Sequence, residues 1–307
     1  MTQSSPTTTR TVLSSTSGWR VWALAARPRT LPAAVAPVVV GSAVAINEGE
    51  FYAVVAILAL LTALLLQIAA NFANDAFDFT RGVDREDRLG PTRATAAGLL
   101  TPEAVLRATR ITLVLAVISG TVLVARGGAI MLVLGIAAIV CAVAYTGGPF
   151  PLGYLGLGEV FVFAFFGPVA VTGTAWLHTL ELTPLALAAS LPVGALATAI
   201  LVVNNLRDLS TDRSSGKNTV AVRIGAEWTR IEYGVLLLVA LVSPIGFWLI
   251  GWLDWWWILT LGALPLAWRL WGQIRRNQGR ELNGTLGATA QMQLVYSVLL
   301  AVALVLS

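Results

Sequence analysis

Two short stretches concentrate carboxylate and amide side chains directly after long apolar runs. The first, at 71–84, reads NFANDAFDFTRGVD, and the second, at 204–217, reads NNLRDLSTDRSSGK. If the helix of each preceding run continues into the stretch, the acidic and amide residues share one helical face at spacings of three and four. They are Asn71, Asn74, Asp75 and Asp78 in the first stretch, and Asn204, Asp208 and Asp212 in the second.

Carboxylates stacked in this way repel one another and need a cationic partner. Oxygen ligands without His or Cys suit Mg²⁺, which keeps some waters and takes further ligands from phosphate. We therefore predict that the two clusters hold a diphosphate through Mg²⁺, with Asp75 and Asp78 binding one ion and Asp208 and Asp212 another. Asp84 is either a further ligand or a loop cap. Alternatively, the carboxylates only neutralise a basic membrane face or cap helices.

Other polar residues beside the clusters complete the predicted site. Cationic side chains can contact phosphate oxygens directly, and amides can orient water or substrate oxygens. The predicted phosphate-binding residues are Arg81, Arg88, Arg93, Lys217 and Arg223. The predicted orienting amides are Asn71, Asn74, Asn204 and Asn205.

The rest of the chain is too apolar for a soluble domain. Of its 307 residues, 57% are hydrophobic and only 12% are charged, whereas soluble domains carry about 25% charged residues. Eleven tryptophans and 28 glycines are typical of a polytopic membrane protein. One cysteine and one histidine exclude an internal disulfide and a metal site built from several Cys or His residues.

Nine apolar runs have the length that a membrane span needs, about 20 residues. They cover roughly 28–47, 51–72, 104–125, 128–146, 158–178, 183–205, 232–251, 254–272 and 286–306. All basic residues except Arg126 fall on one side of this arrangement, which places the N-terminus and both acidic clusters at the cytoplasmic face. The same placement assigns these arginines to membrane orientation and not to nucleic-acid binding.

These features predict an all-α polytopic membrane protein with nine transmembrane helices. Residues 1–20 are predicted to be a disordered cytoplasmic tail, and 21–307 a single domain. NDAFD and NNLRD stand at the inner ends of the second and sixth spans, which suggests two four-helix halves plus a ninth helix. Both clusters would then face one central cavity that opens to the cytoplasm.

On its two motifs the chain resembles the UbiA superfamily of intramembrane aromatic prenyltransferases. The NDxxD motif of that superfamily is matched by Asn74, Asp75 and Asp78. Its second motif, with aspartates four residues apart, is matched by Asp208 and Asp212. The resemblance covers nearly the whole chain and implies the UbiA-like helical bundle.

Two longer segments, 144–174 and 204–225, resemble the MenA branch of the superfamily. Many superfamily members carry a third aspartate where this chain has Gly82, and the pattern NDxxDxxxGxD is itself similar to that branch. The resemblance implies a Mg²⁺-dependent enzyme of the cell membrane that joins a polyprenyl diphosphate to 1,4-dihydroxy-2-naphthoate, with loss of carbon dioxide and formation of demethylmenaquinol for menaquinone synthesis. No obligate protein partner is predicted.

Two rival functions stay open at this point. One is a sister prenyltransferase with another acceptor, such as 4-hydroxybenzoate or haem, because the acidic motifs do not distinguish acceptors. The other is a transporter, which commonly places ionisable residues near the middle of the bilayer. The centres of the predicted spans are nearly free of charge, which disfavours the transporter.

Prenyl transfer assigns possible roles to a few more residues. The ring of Tyr145 either stabilises the allylic cation or anchors its helix at the interface. Arg27 and Arg29 either pair with the acceptor carboxylate or only set orientation. Small residues either leave room for the polyprenyl tail or mark close helix packing; they are Ala33, Ala34, Gly41 and Gly167. No general base stands out.

Overall fold

A computed structural model describes residues 18–82 and 89–307, which form helices and connecting loops without a β-strand. The α-helices are α1 (Gly18–Ala26), α2 (Pro32–Asn47), α3 (Ala53–Thr80), α4 (Pro102–Ala144), α5 (Gly158–Ala164), α6 (Gly173–Thr179), α7 (Pro184–Arg207), α8 (Leu209–Ser214), α9 (Val220–Leu249), α10 (Leu264–Arg276) and α11 (Leu282–Leu306). A π-helical segment, Phe165–Thr172, joins α5 to α6, and 3₁₀ segments lie at Pro28–Thr30, Leu152–Tyr154, Trp255–Ala263 and Gly279–Glu281. Of the predicted tail, 1–17 lies outside the described residues, and α1 begins at Gly18.

The helices have the dimensions of a multi-pass membrane protein. Within 18–82 and 89–307, six helical stretches are long and apolar enough to cross a bilayer, with α5, the π-helical segment and α6 taken as one stretch. The count is seven if α1 and α2, which meet at a bend of 51°, form one broken span. Many large apolar side chains on their outer faces are exposed, as expected of surfaces that contact lipid. The total of nine spans and the side of the membrane that the cavity faces remain predictions.

The 43-residue α4 consists of two antiparallel helical segments. It reverses direction at Gly128, whose φ of 69° and ψ of −156° interrupt the helix. Its first turns pack beside the C-terminal end of α3, and Thr146, just beyond its last residue, donates a hydrogen bond to Asn74 near that same end of α3. Its middle lies at the opposite end of the bundle, where Arg126 donates to the backbone oxygen of His178 at 2.8 Å. The predicted spans 104–125 and 128–146 therefore correspond to the two helical segments of α4.

Threonine caps fix where several of the long helices begin. Thr101, Thr183 and Thr219 precede α4, α7 and α9, and each hydroxyl accepts a hydrogen bond from the backbone N–H three residues on, at 3.2–3.3 Å. Proline follows the first two caps, where its missing N–H costs nothing. These caps satisfy backbone donors that the first turn leaves unpaired.

The two acidic motifs lie on helices that end differently. α3 stays helical to Thr80, so the described part of the first motif shares one helix, as the spacing predicts. α7 ends at Arg207, and Asp208, with φ −92° and ψ 6°, separates it from α8. Asp212 N still donates to Asp208 O at 2.7 Å. The second motif therefore spans two successive helices instead of one continuous helical face.

Close packing at the bundle centre depends on glycine. Most of α7 is buried, and a Cβ added to Gly167 of the π-helical segment would lie 2.8 Å from a backbone oxygen of α7. A Cβ added to Gly41 of α2 would lie 2.5 Å from a backbone oxygen of the π-helical segment. These two glycines therefore serve helix packing, whereas Ala33 and Ala34 line the central cavity.

We predict that Gly167→Ala destabilises the protein by about 1–3 kcal/mol, because its methyl group would meet a backbone atom that only a helix shift can move. Thermal unfolding in detergent measures the change. Gly284→Ala in α11 is the matched control, since a Cβ at Gly284 meets nothing within 4 Å. Equal stability of the two variants would contradict the close approach of α7.

Candidate active site

A cavity of about 690 Å³ lies among α2, α3, α4, α7 and the α5–α6 span. The end next to the acidic motifs is polar, and the rest of the lining is mostly apolar and includes Leu123, Met131 and Leu177. The predicted site residues that line the cavity are Asn71, Asn74, Asp78, Arg93, Tyr145, Asn204, Asn205, Asp208, Asp212 and Lys217. The fold thus brings residues that are more than 100 positions apart in the sequence to one chamber.

Lys217 lies between the two acidic motifs. Its Nζ is 3.7 Å from Asp78 Oδ1 and 3.9 Å from Asp212 Oδ1. The same ammonium lies 4.6 Å from the centre of the Tyr154 ring, within the range of a cation–π contact. One cation therefore balances a carboxylate from each motif, which shows that the two motifs are close enough to share a single charged group.

Asp78 is the most heavily paired carboxylate of the site. It is 2% exposed, its Oδ2 lies 2.5 Å from Arg93 Nη2, and its Oδ1 accepts a hydrogen bond from Tyr154 Oη at 2.7 Å. A buried carboxylate remains ionised only where cations and donors compensate for lost hydration. Arg93, Tyr154 and Lys217 together supply that compensation.

The second motif has its own internal cation, Arg207, which is 3% exposed. Its Nε donates to Asp208 Oδ1 at 2.8 Å. Asp212 has a more distant cation, Lys217 Nζ at 3.9 Å from its Oδ1. Burial, together with the nearby carboxylates of Asp208 and Asp78, raises the pKa of Asp212 to about 7, although Lys217 and Arg207 act in the opposite direction. Protonation of Asp212 is therefore easier than that of an ordinary carboxyl group, and a bound cation would favour its ionised form.

Two amides in the lining offer hydrogen-bond donors. Asn74 Oδ1 accepts from Thr146 Oγ1 at 2.8 Å, and Asn204 Oδ1 accepts from Arg207 Nη2 at 2.7 Å. In the described part of the chain no hydrogen bond uses the Nδ2 of either residue. Both amides can therefore donate to an anion in the cavity.

The other two amides differ from this pair. Asn205 Nδ2 donates to Glu159 Oε1 at 2.7 Å, which leaves Asn205 Oδ1 as an acceptor for a hydroxyl group or a cation. Asn71 Nδ2 donates to the backbone oxygen of Ala26 at 2.9 Å and to Thr30 Oγ1 at 3.3 Å. Asn71 therefore ties the break between α1 and α2 to α3, a structural role that its spacing alone does not indicate.

Three arginines that were predicted to contact substrate do not line the cavity. The guanidinium of Arg81 donates to the backbone oxygen of Gly148, and Arg223 Nη2 donates to that of Leu155 at 2.7 Å. Both bonds hold the connection 147–157 over the polar end of the cavity. Arg29 is exposed; the neighbouring Arg27 lines the cavity instead.

The remaining predicted site residues are Asp75, Asp84 and Arg88. Asp75 is 1% exposed but is not part of the cavity lining. Its carboxylate oxygens accept hydrogen bonds from the backbone N–H of Ala94 and the hydroxyl of Thr95. Asp84 and Arg88 lie outside the described residues.

Sequence reasoning missed one residue of the site, Tyr154. Tyr154 lies in a Gly- and Pro-rich connection, and no spacing in the sequence links it to Asp78. Arg27 was predicted, together with Arg29, as a possible partner of the acceptor carboxylate. Its left-handed φ of 54° interrupts the helix between α1 and the 3₁₀ segment Pro28–Thr30. The resulting helix break lies beside the cavity, where Arg27 contributes to the lining.

The donor set fits Mg²⁺. One carboxylate from each motif, Asp78 and Asp212, lies within 4 Å of the Lys217 ammonium, and Asp208 and Asn205 line the same cavity. Within 18–82 and 89–307, no three carboxylate, imidazole or thiol groups gather into a complete metal centre. Mg²⁺ usually takes one or two protein carboxylates and completes its shell with water and phosphate oxygens.

Comparison with known proteins assigns the chain to a family. The profile of the UbiA prenyltransferase family matches residues 34–305. The chain belongs to the UbiA prenyltransferase family. Among UbiA proteins it is similar to the 1,4-dihydroxy-2-naphthoate octaprenyltransferase of Mycobacterium tuberculosis, with 42% identity over 92% of this chain and 96% of that protein. The enzyme of the same description from Escherichia coli is also 42% identical, over 80% of this chain and 82% of that protein.

Solved UbiA structures share the architecture. The apo UbiA homologue from Aeropyrum pernix K1 has a TM-score of 0.67 at 14% identity, covering 89% of this chain and 97% of its own. The UbiA homologue from Archaeoglobus fulgidus bound to GPP and Mg²⁺ has a TM-score of 0.65 at 17% identity, covering 94% and 100%. These similarities confirm the predicted UbiA-like helical bundle.

We predict that Lys217→Met lowers stability in EDTA by about 1–3 kcal/mol, because Asp78 and Asp212 lose a shared counter-charge. Mg²⁺ should stabilise this variant more than the wild type, since an added cation can take the place of the ammonium. Thermal unfolding in detergent, with EDTA or with Mg²⁺, measures both effects. Lys217→Arg keeps the charge and is the control; a Lys217→Met variant as stable as wild type in EDTA would contradict the bridging role.

Proposed function

We propose that this protein transfers a polyprenyl group from polyprenyl diphosphate to 1,4-dihydroxy-2-naphthoate, with loss of carbon dioxide, and so forms demethylmenaquinol for menaquinone synthesis. The observation that carries the proposal is Lys217, shared by Asp78 and Asp212 at the polar end of an otherwise apolar cavity. Relatives described as 1,4-dihydroxy-2-naphthoate octaprenyltransferases support the choice of acceptor. We further propose that the protein lies in the cell membrane with its N-terminus and polar cavity end at the cytoplasmic face.

The polar end suits a diphosphate. Cations at Arg93 and Lys217 and amide donors at Asn74 and Asn204 line it, and all four can donate to phosphate oxygens. Asp78, Asp208 and Asp212 are the proposed ligands for Mg²⁺, with Asn205 Oδ1 as an additional oxygen. When bound, Mg²⁺ supplies positive charge that stabilises the leaving diphosphate as negative charge develops on it.

The apolar remainder of the cavity suits the polyprenyl chain and the cation formed from it. Walls such as Phe161, Phe165 and Leu201 exclude water, which would otherwise capture an allylic cation. The ring of Tyr145 lines the same cavity, and it is the proposed side chain that stabilises the cation through its aromatic face. Such contacts contribute about 0.5–2 kcal/mol.

The bond changes need no general base. The allylic C–O bond breaks and its electron pair stays with the diphosphate, where Arg93 and Lys217 stabilise the charge. The ring carbon that bears the carboxylate then forms the new C–C bond. The electron pair of the ring–carboxylate bond returns to the ring as carbon dioxide leaves, so no proton is removed from the attacked carbon.

Arg27 is the proposed partner of the acceptor carboxylate. It lines the cavity, whereas Arg29 is exposed. The Asn71 amide, 2.9 Å from the backbone oxygen of Ala26, fixes the position of the chain immediately before Arg27. The guanidinium of Arg27 can therefore bind a carboxylate within the cavity without a change in the path of the backbone.

We predict that Asp78→Asn and Asp208→Asn each lower turnover at least about 100-fold while the protein still inserts, because transition-state charge is then poorly balanced. The assay follows labelled polyprenyl diphosphate and 1,4-dihydroxy-2-naphthoate with Mg²⁺ or with EDTA. Asp254→Asn, at an exposed carboxylate outside the cavity, is the control. Near-normal turnover in both site variants would refute the proposed ligands, and a preference for 4-hydroxybenzoate in competition would refute the acceptor.

We predict that Arg27→Gln raises the KM for 1,4-dihydroxy-2-naphthoate at least about tenfold, the cost of one charge-assisted hydrogen bond, whereas Arg29→Gln leaves it within about twofold. Competition by 1,4-dihydroxynaphthalene, which lacks the carboxylate, should be equal in Arg27→Gln and wild type. An equal loss of affinity for both ring compounds would show that Arg27 does not recognise the carboxylate.

A further inference from the structure

Asp75 is part of the first acidic motif in the sequence, but it does not line the cavity as Asp78 does. Both of its carboxylate oxygens are used by a segment about 20 residues further along the chain: Oδ1 accepts from Thr95 Oγ1 at 2.7 Å, and Oδ2 accepts from Ala94 N at 3.2 Å. The hydroxyl of Thr95 also lies 3.0 Å from the backbone oxygen of Asp75. Asp75, Ala94 and Thr95 are each at most 2% exposed, so this contact is shielded from water.

The residue next to this anchor is a cation of the active site. Arg93 precedes Ala94, and its Nη2 lies 2.5 Å from Asp78 Oδ2. Asp75 and Asp78 are three residues apart on α3, so they occupy neighbouring positions on one side of the helix. The helix therefore holds the segment 93–95 at two adjacent points: through the backbone and hydroxyl at Asp75, and through the guanidinium at Asp78.

We propose that Asp75 is a positioning residue and not a metal ligand: its carboxylate fixes the backbone at Ala94 and Thr95 and so places the Arg93 guanidinium against Asp78. Arg93 then occupies Asp78 Oδ2, which leaves Oδ1 directed to Tyr154 and Lys217. This inference rests on the proposed function, since it concerns how the diphosphate site of that function is held in shape.

Position and hydrogen bonding favour this role over direct coordination. A ligand must present an oxygen to the cavity, and Asp75 is absent from the described lining, whereas Asp78, Asp208 and Asp212 are part of it. Coordination by Asp75 would require it to give up the bonds to Ala94 and Thr95. A buried backbone N–H would then lose its partner, which is costly.

The experiment compares substitutions on both sides of the contact. Asp75→Asn places an amide where an acceptor is needed, and Thr95→Val removes the hydroxyl while Asp75 stays intact; Thr95→Ser keeps the hydroxyl and is the matched control. Binding of inorganic diphosphate in the presence of Mg²⁺, by calorimetry on purified protein, and the Mg²⁺ concentration for half-maximal diphosphate binding are measured for each variant. Asp78→Asn serves as the reference for the loss of a ligand.

We expect Asp75→Asn and Thr95→Val to weaken diphosphate binding by similar factors, each roughly tenfold for one lost buried hydrogen bond. The Mg²⁺ requirement should stay within about twofold of wild type in both, while Asp78→Asn shifts it strongly. Thr95→Ser, which keeps the hydroxyl, should bind diphosphate as the wild type does. In an Arg93→Gln background, Asp75→Asn should cause no further loss, because the two changes remove the same contact with diphosphate.

Two results would overturn the assignment. If Asp75→Asn shifts the Mg²⁺ requirement as Asp78→Asn does while Thr95→Val has no effect, Asp75 is a ligand. If Asp75→Asn and Arg93→Gln weaken binding additively, Asp75 does not act through Arg93. Should Asp75→Asn fail to fold, Thr95→Val against Thr95→Ser and the Arg93→Gln background decide the same question. Wild-type protein that binds diphosphate but does not prenylate the naphthoate would refute the proposed function alone, because these binding ratios do not depend on the acceptor.

Discussion

Carboxylates at the end of an apolar bundle must be paired with cations, and this requirement shapes the active site. Removing an ion from water costs several kcal/mol unless charges and donors nearby compensate. Asp78 meets Arg93 and Lys217, and Asp208 meets Arg207. Arg93 and Lys217 lie in loops, so their pairing with Asp78 also brings these two loops to the end of the bundle, whereas Arg207 pairs with the residue next to it. The polar mouth of the cavity is therefore organised by charge, and the rest of the bundle by the packing of small and aliphatic side chains.

The same pairings prepare the protein for its proposed substrate. Without substrate, Lys217 and Arg93 neutralise carboxylates. Under the proposed function, Mg²⁺ held by Asp78, Asp208 and Asp212 would supply that positive charge instead, and the two cationic side chains could donate to phosphate oxygens. Charge stabilisation is thus largely in place before the allylic bond ionises, which favours the transition state without rearrangement of the fold. In the proposed reaction, the apolar lining, which includes Met131 and Leu177, would keep water away from the allylic cation.

Much of this arrangement follows from local sequence, and its exceptions have physical causes. The apolar run before Asn71 contains no helix breaker, so α3 continues through the first motif as predicted. The prediction that the second motif shares one continuous helix was wrong, because α7 ends at Arg207 although Asp208 and Asp212 keep a helical spacing. Arg81 was predicted to bind phosphate on the basis of its charge, but its guanidinium bonds a backbone oxygen of a loop that is distant in sequence.

The sequence by itself determined the class of the protein, the helical character of its segments and the presence of two carboxylate clusters, because hydrophobicity, span length and residue spacing act over one or two helical turns. It also indicated a diphosphate chemistry, since Asp, Asn, Arg and Lys are sufficient to suggest Mg²⁺ and phosphate. Only the tertiary structure decided which of these side chains share the cavity: Lys217 and Arg27 enter it, whereas Asp75 and Arg223 hold loops. The reason is that a hydrogen bond or an ion pair depends on the position of its partner, and those partners come from elements that only the folded bundle brings together.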